Sequence, residues 1–236
     1  MSISLKRVWA IFTKDYKEFS RNYAISIMLI FPIILAFIFR EAGSSLPGAS
    51  GFLFNTSFVL LTCFAQACLI AEEKERNTLR SLMMTPATAM DVLIGKSSLV
   101  FVMSAVILAI ATFIFGYDPT GIWAVVPTLI LSIILYIAAG TICGLFSKTL
   151  LEASLSILPV AFVFMGAPWG EMLVKDYPIF KVLDYVPSSQ LVHLLGISNT
   201  GFTMEDVLKP LLITFVWTVV LTIVSVVLYQ RRLKDE

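Results

Sequence analysis

Charged side chains are scarce in this sequence. Asp, Glu, Lys and Arg account for 14% of its 236 residues, whereas hydrophobic residues account for 58%. A soluble domain typically has about 25% charged residues, and the mean hydropathy here is +0.90. The composition therefore predicts a protein that sits mainly in a lipid bilayer. Because the net charge is only +1, we expect no nucleic-acid partner.

Residues that bind metals or carry out catalysis are also few. The chain has one histidine, His193, and its three cysteines lie in apolar runs without the spacing of a zinc site. Gly95-Lys96-Ser97 looks like the end of a phosphate-binding loop, but Met90 stands where that loop has its first glycine. We therefore expect no metal, no cofactor and no catalytic residue in this chain, which counts against a membrane-embedded enzyme.

Six apolar runs are long enough to cross a bilayer as helices. They are predicted at residues 23–39, 52–70, 92–115, 122–146, 153–172 and 210–229. Basic residues are concentrated before the first span, between the second and third spans (Lys96 among them), and after the last span. Because basic residues favour the cytoplasmic side, we predict a multi-pass protein of the cell membrane with both termini in the cytoplasm.

An amphipathic pattern precedes the first span. Apolar side chains recur three or four residues apart, and basic side chains occupy most of the remaining positions. This pattern predicts an interfacial helix within residues 1–22 that lies on membrane lipid. Its membrane-facing side chains are expected to include Trp9, Phe12 and Tyr16.

The longest polar break, residues 71–91, separates the second and third spans. Its acidic residues are expected to begin a short helix that Pro86 ends, after which Thr88 and Asp91 can form a capping box. A loop with its own apolar face and a stiff connection to a span is typical of a docking surface. The candidate contact residues are Glu72, Glu73, Glu75, Arg76, Thr78, Leu79, Arg80, Leu82 and Met83.

A pair of small residues occurs in the fourth predicted span. Gly140 and Gly144 form a GxxxG pattern, which lets another helix approach closely. The sequence leaves open whether that helix belongs to the same chain or to a second subunit.

The polar break also carries a family resemblance. Residues 73–82 read EKERNTLRSL, and Thr85-Pro86-Ala87-Thr88 and Gly95-Lys96 follow. This pattern resembles the cytoplasmic loop of type-2 ABC-transporter permeases, although Asn77 stands where that family commonly has glycine and Arg80 where it has glutamate. Residues 184–188 are similar to the segment that precedes the last span in the same family.

The resemblance implies a membrane subunit of an ATP-driven exporter. Hydrophobic or amphipathic cargo, such as a peptide, toxin, drug or lipid, would leave the cytoplasm or the inner leaflet. ATP and Mg would be bound by a separate ABC ATPase subunit, and a second permease subunit, the same chain or a homologous one, would complete the pathway. The resemblance implies a second ATPase contact at Ser147, Lys148 and Leu150, and short re-entrant helices within residues 173–208.

We therefore expect an all-α membrane protein with six transmembrane helices in a single permease domain, residues 1–236. It would comprise the interfacial helix (1–22), spans one to four with a coupling helix in the loop 71–91 (23–146), and spans five and six with the outside segment 173–208 (147–236). An ion-coupled secondary transporter is the alternative. It is motivated by the six spans alone, and we expect no deeply placed acid or base in those spans.

Overall fold

The computed structural model of the chain consists of helices and their connections. It describes residues 3–21, 23–42, 48–75, 87–117, 122–170, 174, 177–197 and 203–235. In these ranges all regular secondary structure is helical, so the predicted all-α class is confirmed. The helices are α1 (Leu5–Phe19), α2 (Tyr23–Ala42), α3 (Ala49–Glu75, π-helical at Phe58–Cys63), α4 (Ala89–Phe115), α5 (Ile122–Phe146), α6 (Leu150–Gly170, with a turn at Ile157), α7 (Pro187–Ile197) and α8 (Met204–Asp235). A 3₁₀-helix, Pro178–Tyr185, precedes α7.

Five helices are long and apolar enough to cross a membrane. They are α3, α4, α5, α6 and the Asp206–Arg232 part of α8. The first predicted span corresponds to α2, where the apolar helix among the described residues is the shorter Ile27–Arg40. The chain is thus a multi-pass membrane protein with five candidate spans, and the sixth span stays a prediction.

The acidic residues of the polar break do not begin a separate helix, and that expectation is wrong. Helix α3 continues without interruption through Glu72 and Glu73 to Glu75. Alanine, glutamate and lysine all favour the helical state, so nothing in residues 71–75 ends the span helix where hydrophobicity falls. The remaining predicted contact residues lie outside the described residues; they are Arg76, Thr78, Leu79, Arg80, Leu82 and Met83.

The start of α4 confirms the predicted capping box. The Thr88 hydroxyl accepts a hydrogen bond from the Asp91 backbone N–H at 3.1 Å, and the Asp91 carboxylate accepts one from the Thr88 N–H at 2.8 Å. These bonds satisfy two donors that a helix start leaves without partners. Helix α4 therefore begins at a fixed point and runs continuously into the third span.

Helix α3 occupies the centre of the bundle. In the most apolar stretch of α3, 89% of the residues are buried, whereas the corresponding share for the peripheral α8 is 17%. An aromatic row crosses the interior from α3 to α8, with ring centroids 5.3 Å apart for Phe58–Tyr136, 5.3 Å for Tyr136–Phe164 and 6.1 Å for Phe164–Trp217. Offset and edge-to-face ring pairs of this kind favour fixed geometry, so the row holds four helices together.

The two glycines of the GxxxG pattern face α3 of the same chain. A Cβ atom on Gly144 would lie 2.6 Å from the Ala67 carbonyl oxygen, and one on Gly140 would lie 2.9 Å from Gln66 Cβ. Between them, Thr141 accepts a hydrogen bond from Gln66 Nε2 at 2.9 Å. Close backbone approach and a polar bond are the contacts that join helices in lipid.

The segment before α8 is fastened to α8. Trp217 Nε1 donates to the Tyr185 carbonyl at 2.9 Å, and Lys209 Nζ lies 2.7 Å from Asp184 Oδ2. Gln190 Nε2 on α7 donates to Asp184 Oδ1 at 2.8 Å. Helix α7 also packs against α3, α5 and α6. The segment is therefore part of the bundle, and its re-entrant placement in the membrane stays a prediction.

The close contact of α3 with α5 predicts that Gly144→Ala destabilises the protein by about 1–3 kcal/mol, because the new methyl group meets backbone that cannot rotate away. Gly166→Ala is the matched control, since a Cβ there meets nothing within 4 Å and alanine favours the helix. Thermal unfolding in detergent, followed by tryptophan fluorescence, measures both variants. Equal unfolding temperatures would contradict the packing argument.

Candidate functional site

A lysine is buried where α1, α3 and α4 meet. Lys96 on α4 is 1% exposed. Its Nζ lies 3.1 Å from Asp15 Oδ2 on α1 and 3.1 Å from Glu73 Oε1 on α3. It also donates to the Leu69 carbonyl at 3.2 Å. The ammonium therefore joins three helices that are distant in sequence, and we call Asp15, Glu73 and Lys96 the ionic triad.

Burial makes this pairing obligatory. Asp15 is fully buried and Glu73 is 4% exposed. A charge removed from water is tolerated only when opposite charges and hydrogen bonds replace the lost hydration. The triad has one more acidic than basic group, and the half-exposed Lys14, whose Nζ is 3.6 Å from Asp15 Oδ1, supplies a second positive charge. The charges are thus balanced only when all three helices are in place.

A second buried carboxylate fixes the start of α1 to the start of α4. Asp91 is fully buried. Its Oδ2 atom lies 2.8 Å from Arg7 Nε, and its Oδ1 atom accepts a hydrogen bond from the Ser4 backbone N–H at 2.9 Å. Because Asp91 also caps α4, one carboxylate sets both the beginning of that helix and its contact with α1.

Helix α1 lies directly against α4 between these two ionic contacts. A Cβ atom on Gly95 would lie 2.8 Å from Ile11 Cγ2 and 3.2 Å from the Val8 carbonyl oxygen. Arg7, Ile11 and Asp15 are four residues apart and so occupy one face of α1. Trp9 and Tyr16, at 67% and 56% exposed, are among the apolar side chains on the outer surface of α1, and Phe12 is half-buried against the core.

The end of α3 is also bonded to the connection between α5 and α6. Lys74 Nζ donates to the Leu145 carbonyl at 2.6 Å and to the Ser147 carbonyl at 2.9 Å. Glu75 Oε2 accepts a hydrogen bond from the Leu150 N–H at 2.8 Å. Ser147 is buried and Lys148 is exposed. The two predicted contact segments therefore meet at the same end of the bundle, beside α1.

A family model described as "ABC-2 family transporter protein" matches residues 13–227. The match covers most of the chain, from α1 through nearly all of α8. The chain belongs to the ABC-2 transporter family. Its resemblance to type-2 ABC permeases is thereby confirmed, and it is the membrane subunit of an ABC transporter. A search of curated proteins found no match.

Family membership indicates where the ATP is used in transporters of this kind. Permeases of this family lack an ATPase site and generally work with ABC ATPase subunits, which use the ATP. The geometry of the ABC-2 subunit must therefore be understood mechanically, as the arrangement of helices that a partner could move. Within the part of the chain that the structure describes, the end of the bundle with the ionic triad, Asp91 and the α5–α6 connection carries an extensive set of polar bonds.

Sequence reasoning found part of this region of the ABC-2 subunit and missed its centre. Glu73, Glu75, Ser147 and Leu150 were candidates, but Lys96 was placed with the loop residues. Lys96 is buried within α4, but it lies only seven residues from the start of that helix, so the expectation of no acid or base deep in the spans stays a prediction. Two signals were available. Lys96 falls inside a predicted span, where a charge indicates a partner. Asp15 is an acid on the same face of α1 as the apolar Ile11, four residues earlier.

The pairing of Lys96 predicts that Lys96→Met destabilises the protein strongly, by about 3–5 kcal/mol, because Asp15 and Glu73 are left buried without their shared partner. Adding Asp15→Asn and Glu73→Gln to Lys96→Met removes the charges together and should recover a large part of the loss. Lys14→Met is the control, since a half-exposed pair contributes at most about 1 kcal/mol. Unfolding temperatures in detergent compare these variants. A Lys96→Met protein as stable as the native protein would contradict the pairing argument.

Proposed function

We propose that this chain is the membrane subunit of an ABC exporter. It would move hydrophobic or amphipathic cargo (a peptide, toxin, drug or lipid) out of the cytoplasm or inner leaflet with ATP hydrolysed by a separate subunit. The observation that carries the proposal is the ionic triad, because it makes α1, the end of α3 and the start of α4 into one mechanical unit. Family membership supplies the class of driving force.

The proposed ATPase-facing surface has three parts at one end of the bundle. Residues 76–86 lie between α3 and α4 in the sequence, so a partner that displaces this segment would act on both helices. The interfacial helix α1 would contact the ATPase as well as membrane lipid, the latter through the exposed Trp9 and Tyr16, while its Ile11 side packs on α4. Ser147, Lys148 and Leu150 would form the second contact, which Glu75 and Lys74 join to α3.

The proposed transport cycle follows from these connections. ATP closes the ATPase pair, the loop 76–86 moves, and the triad transmits the displacement to α1, α3 and α4 together. The tight contact of α3 with α5 at Gly140 and Gly144 passes the motion to the centre of the bundle. We propose six spans with both termini in the cytoplasm, and a second permease subunit opposite this one, so that the pathway opens to each side in turn.

One observation favours the alternative, an ion-coupled secondary transporter. The triad is a buried ionisable cluster, and such clusters occur along proton pathways. However, Lys96 lies seven residues from the start of α4, which is roughly 10 Å along the helix axis and well short of the midplane. The alternative predicts flux along an ion gradient in vesicles that contain this chain without an ATPase, and absence of that flux would eliminate it.

Docking through the loop predicts that Leu79→Asp with Leu82→Asp abolishes export and weakens association with the ATPase subunit, because charges would replace an apolar contact. The control is His193→Gln, which alters an exposed residue on α7 and should leave export nearly unchanged. Co-purification with an ABC ATPase subunit and vesicle transport provide the two measurements. Full transport by the double variant would disprove the assignment of this loop.

Transmission through the end of α3 predicts a different result for Lys74→Met. This change removes two hydrogen bonds to the α5–α6 connection, so we expect export to fall severalfold while the ATPase stays bound. Lys181→Met is the control, since Lys181 is an exposed lysine on the 3₁₀-helix before α7, away from the proposed ATPase contacts. The ratio of cargo moved to ATP hydrolysed in vesicles measures the effect. A loss of ATPase binding instead would assign Lys74 to docking.

A further inference from the structure

A cavity of about 330 Å³ lies between α2, α3, α6 and α7. It is at the opposite end of α3 from the ionic triad, roughly 30 Å away along the helix. Its volume falls within the range of small-molecule sites, about 300–1,000 Å³. The residues that line it are Phe39, Gly48, Ala49, Phe52, Asn55, Thr56, Met165, Pro168, Trp169 and Val192.

Aromatic rings form much of the apolar wall. Phe52 on α3 lies edge-on to Phe39 on α2, with centroids 5.6 Å apart, and edge-on to Trp169 on α6 at 6.5 Å. Trp169 is 57% exposed, so it stands at the open side of the cavity. Edge-to-face contacts hold these rings in place, which means that the wall is formed before any ligand arrives.

The polar groups of the cavity are one turn deeper along α3. Asn55 is 4% exposed and Thr56 is 2% exposed. The amide nitrogen of Asn55 donates to the Ser188 carbonyl at 3.3 Å, but Asn55 Oδ1 and Thr56 Oγ1 are buried without a hydrogen-bond partner. Buried polar atoms are nearly always paired, and these two unpaired oxygens belong to adjacent residues that both line the cavity, which indicates a missing donor at this place.

The chemistry of that donor is constrained by the rest of the lining. No charged side chain lines the cavity within the part of the chain that the structure describes. A charged ligand would lose its hydration on entering this cavity and would gain no ionic partner in exchange. We propose that the cavity binds an uncharged amphiphile, with an alcohol or amide N–H at Asn55 and Thr56 and an apolar body against Phe39, Phe52 and Trp169.

The proposal deepens the proposed function and rests on it only for the role of the ligand. If the chain is an exporter, the cavity selects neutral amphiphiles among the cargo classes. The same chemistry could come from a membrane lipid that stays bound. Binding itself needs no ATPase, so the site can be tested on the purified full-length chain.

The test uses dodecanamide that carries a photoreactive diazirine on its chain, with the native protein in lipid nanodiscs. We expect saturable labelling near Trp169, identified by mass spectrometry of the peptides. Unlabelled dodecanamide should compete at least tenfold better than N,N-dimethyldodecanamide, which has the same chain and carbonyl but no N–H. Labelling that does not saturate, or equal competition by the two amides, would overturn the proposal without any variant.

Variants of the cavity residues test the hydrogen-bonding groups and the cavity volume separately. Asn55→Leu with Thr56→Val should raise the half-saturating concentration about tenfold, and Ala49→Phe should abolish saturable labelling by filling the cavity. Ser57→Ala is the matched control, because Ser57 is equally buried but its hydroxyl already donates to the Leu53 carbonyl at 2.6 Å. Unchanged labelling in both cavity variants would also overturn the proposal.

A vesicle assay with the ATPase complex separates the two sources of ligand. ATP-dependent loss of dodecanamide identifies cargo, and retention alongside saturable labelling identifies a resident membrane amphiphile; both outcomes support the site. Failure of the two proposals can be told apart. Saturable labelling in a chain that binds no ATPase would disprove the exporter and keep the site, whereas unsaturable labelling in a working exporter would disprove the site alone.

Discussion

The buried ammonium of Lys96 constrains the structure more than any other group. An unpaired positive charge in the interior is far too costly to persist, so the folded state requires Asp15 and Glu73 to come to it. Asp15 belongs to α1, a helix of 15 residues, and an isolated helix of that length is marginal in water. The pairing therefore decides where α1 lies and fixes the position of α3 relative to α4.

The type of contact between helices changes along the length of the bundle. At the triad end, helices are joined by ion pairs and by hydrogen bonds to carbonyl groups. In the middle, α3 and α5 approach closely at Gly140 and Gly144, and an aromatic row from Phe58 to Trp217 fills the interior. At the far end is a cavity with unpaired oxygens. Ionic bonds and close packing resist deformation, so under the proposed transport cycle we expect a displacement at the triad end to be carried along α3 towards the cavity.

Sequence reasoning succeeded where the signal is local. The Thr88–Asp91 capping box depends on residues three apart, and the helical class follows from long apolar runs. The family resemblance could be recognised from residues 73–96 because the residues of this motif lie close together in the sequence. It failed where the partner is distant. Lys96 and Asp15 are 81 residues apart, and a lone charge near a span end has the same pattern whether solvated or paired. Likewise, a GxxxG pattern specifies small residues but does not specify which helix approaches them.

The misjudged end of α3 has a physical consequence. Glu72, Glu73 and Glu75 stand in the last turn of the helix, where the backbone dipole disfavours negative charge. This turn persists because Lys96 pairs with Glu73 and because Lys74 and Glu75 bond to the α5–α6 connection. Its stability is thus supplied by other elements in addition to the helix propensity of its own residues. A helix end held in this way depends on the position of its neighbours, so we expect the last turn of α3 to be sensitive to any displacement of Lys96 or of the α5–α6 connection.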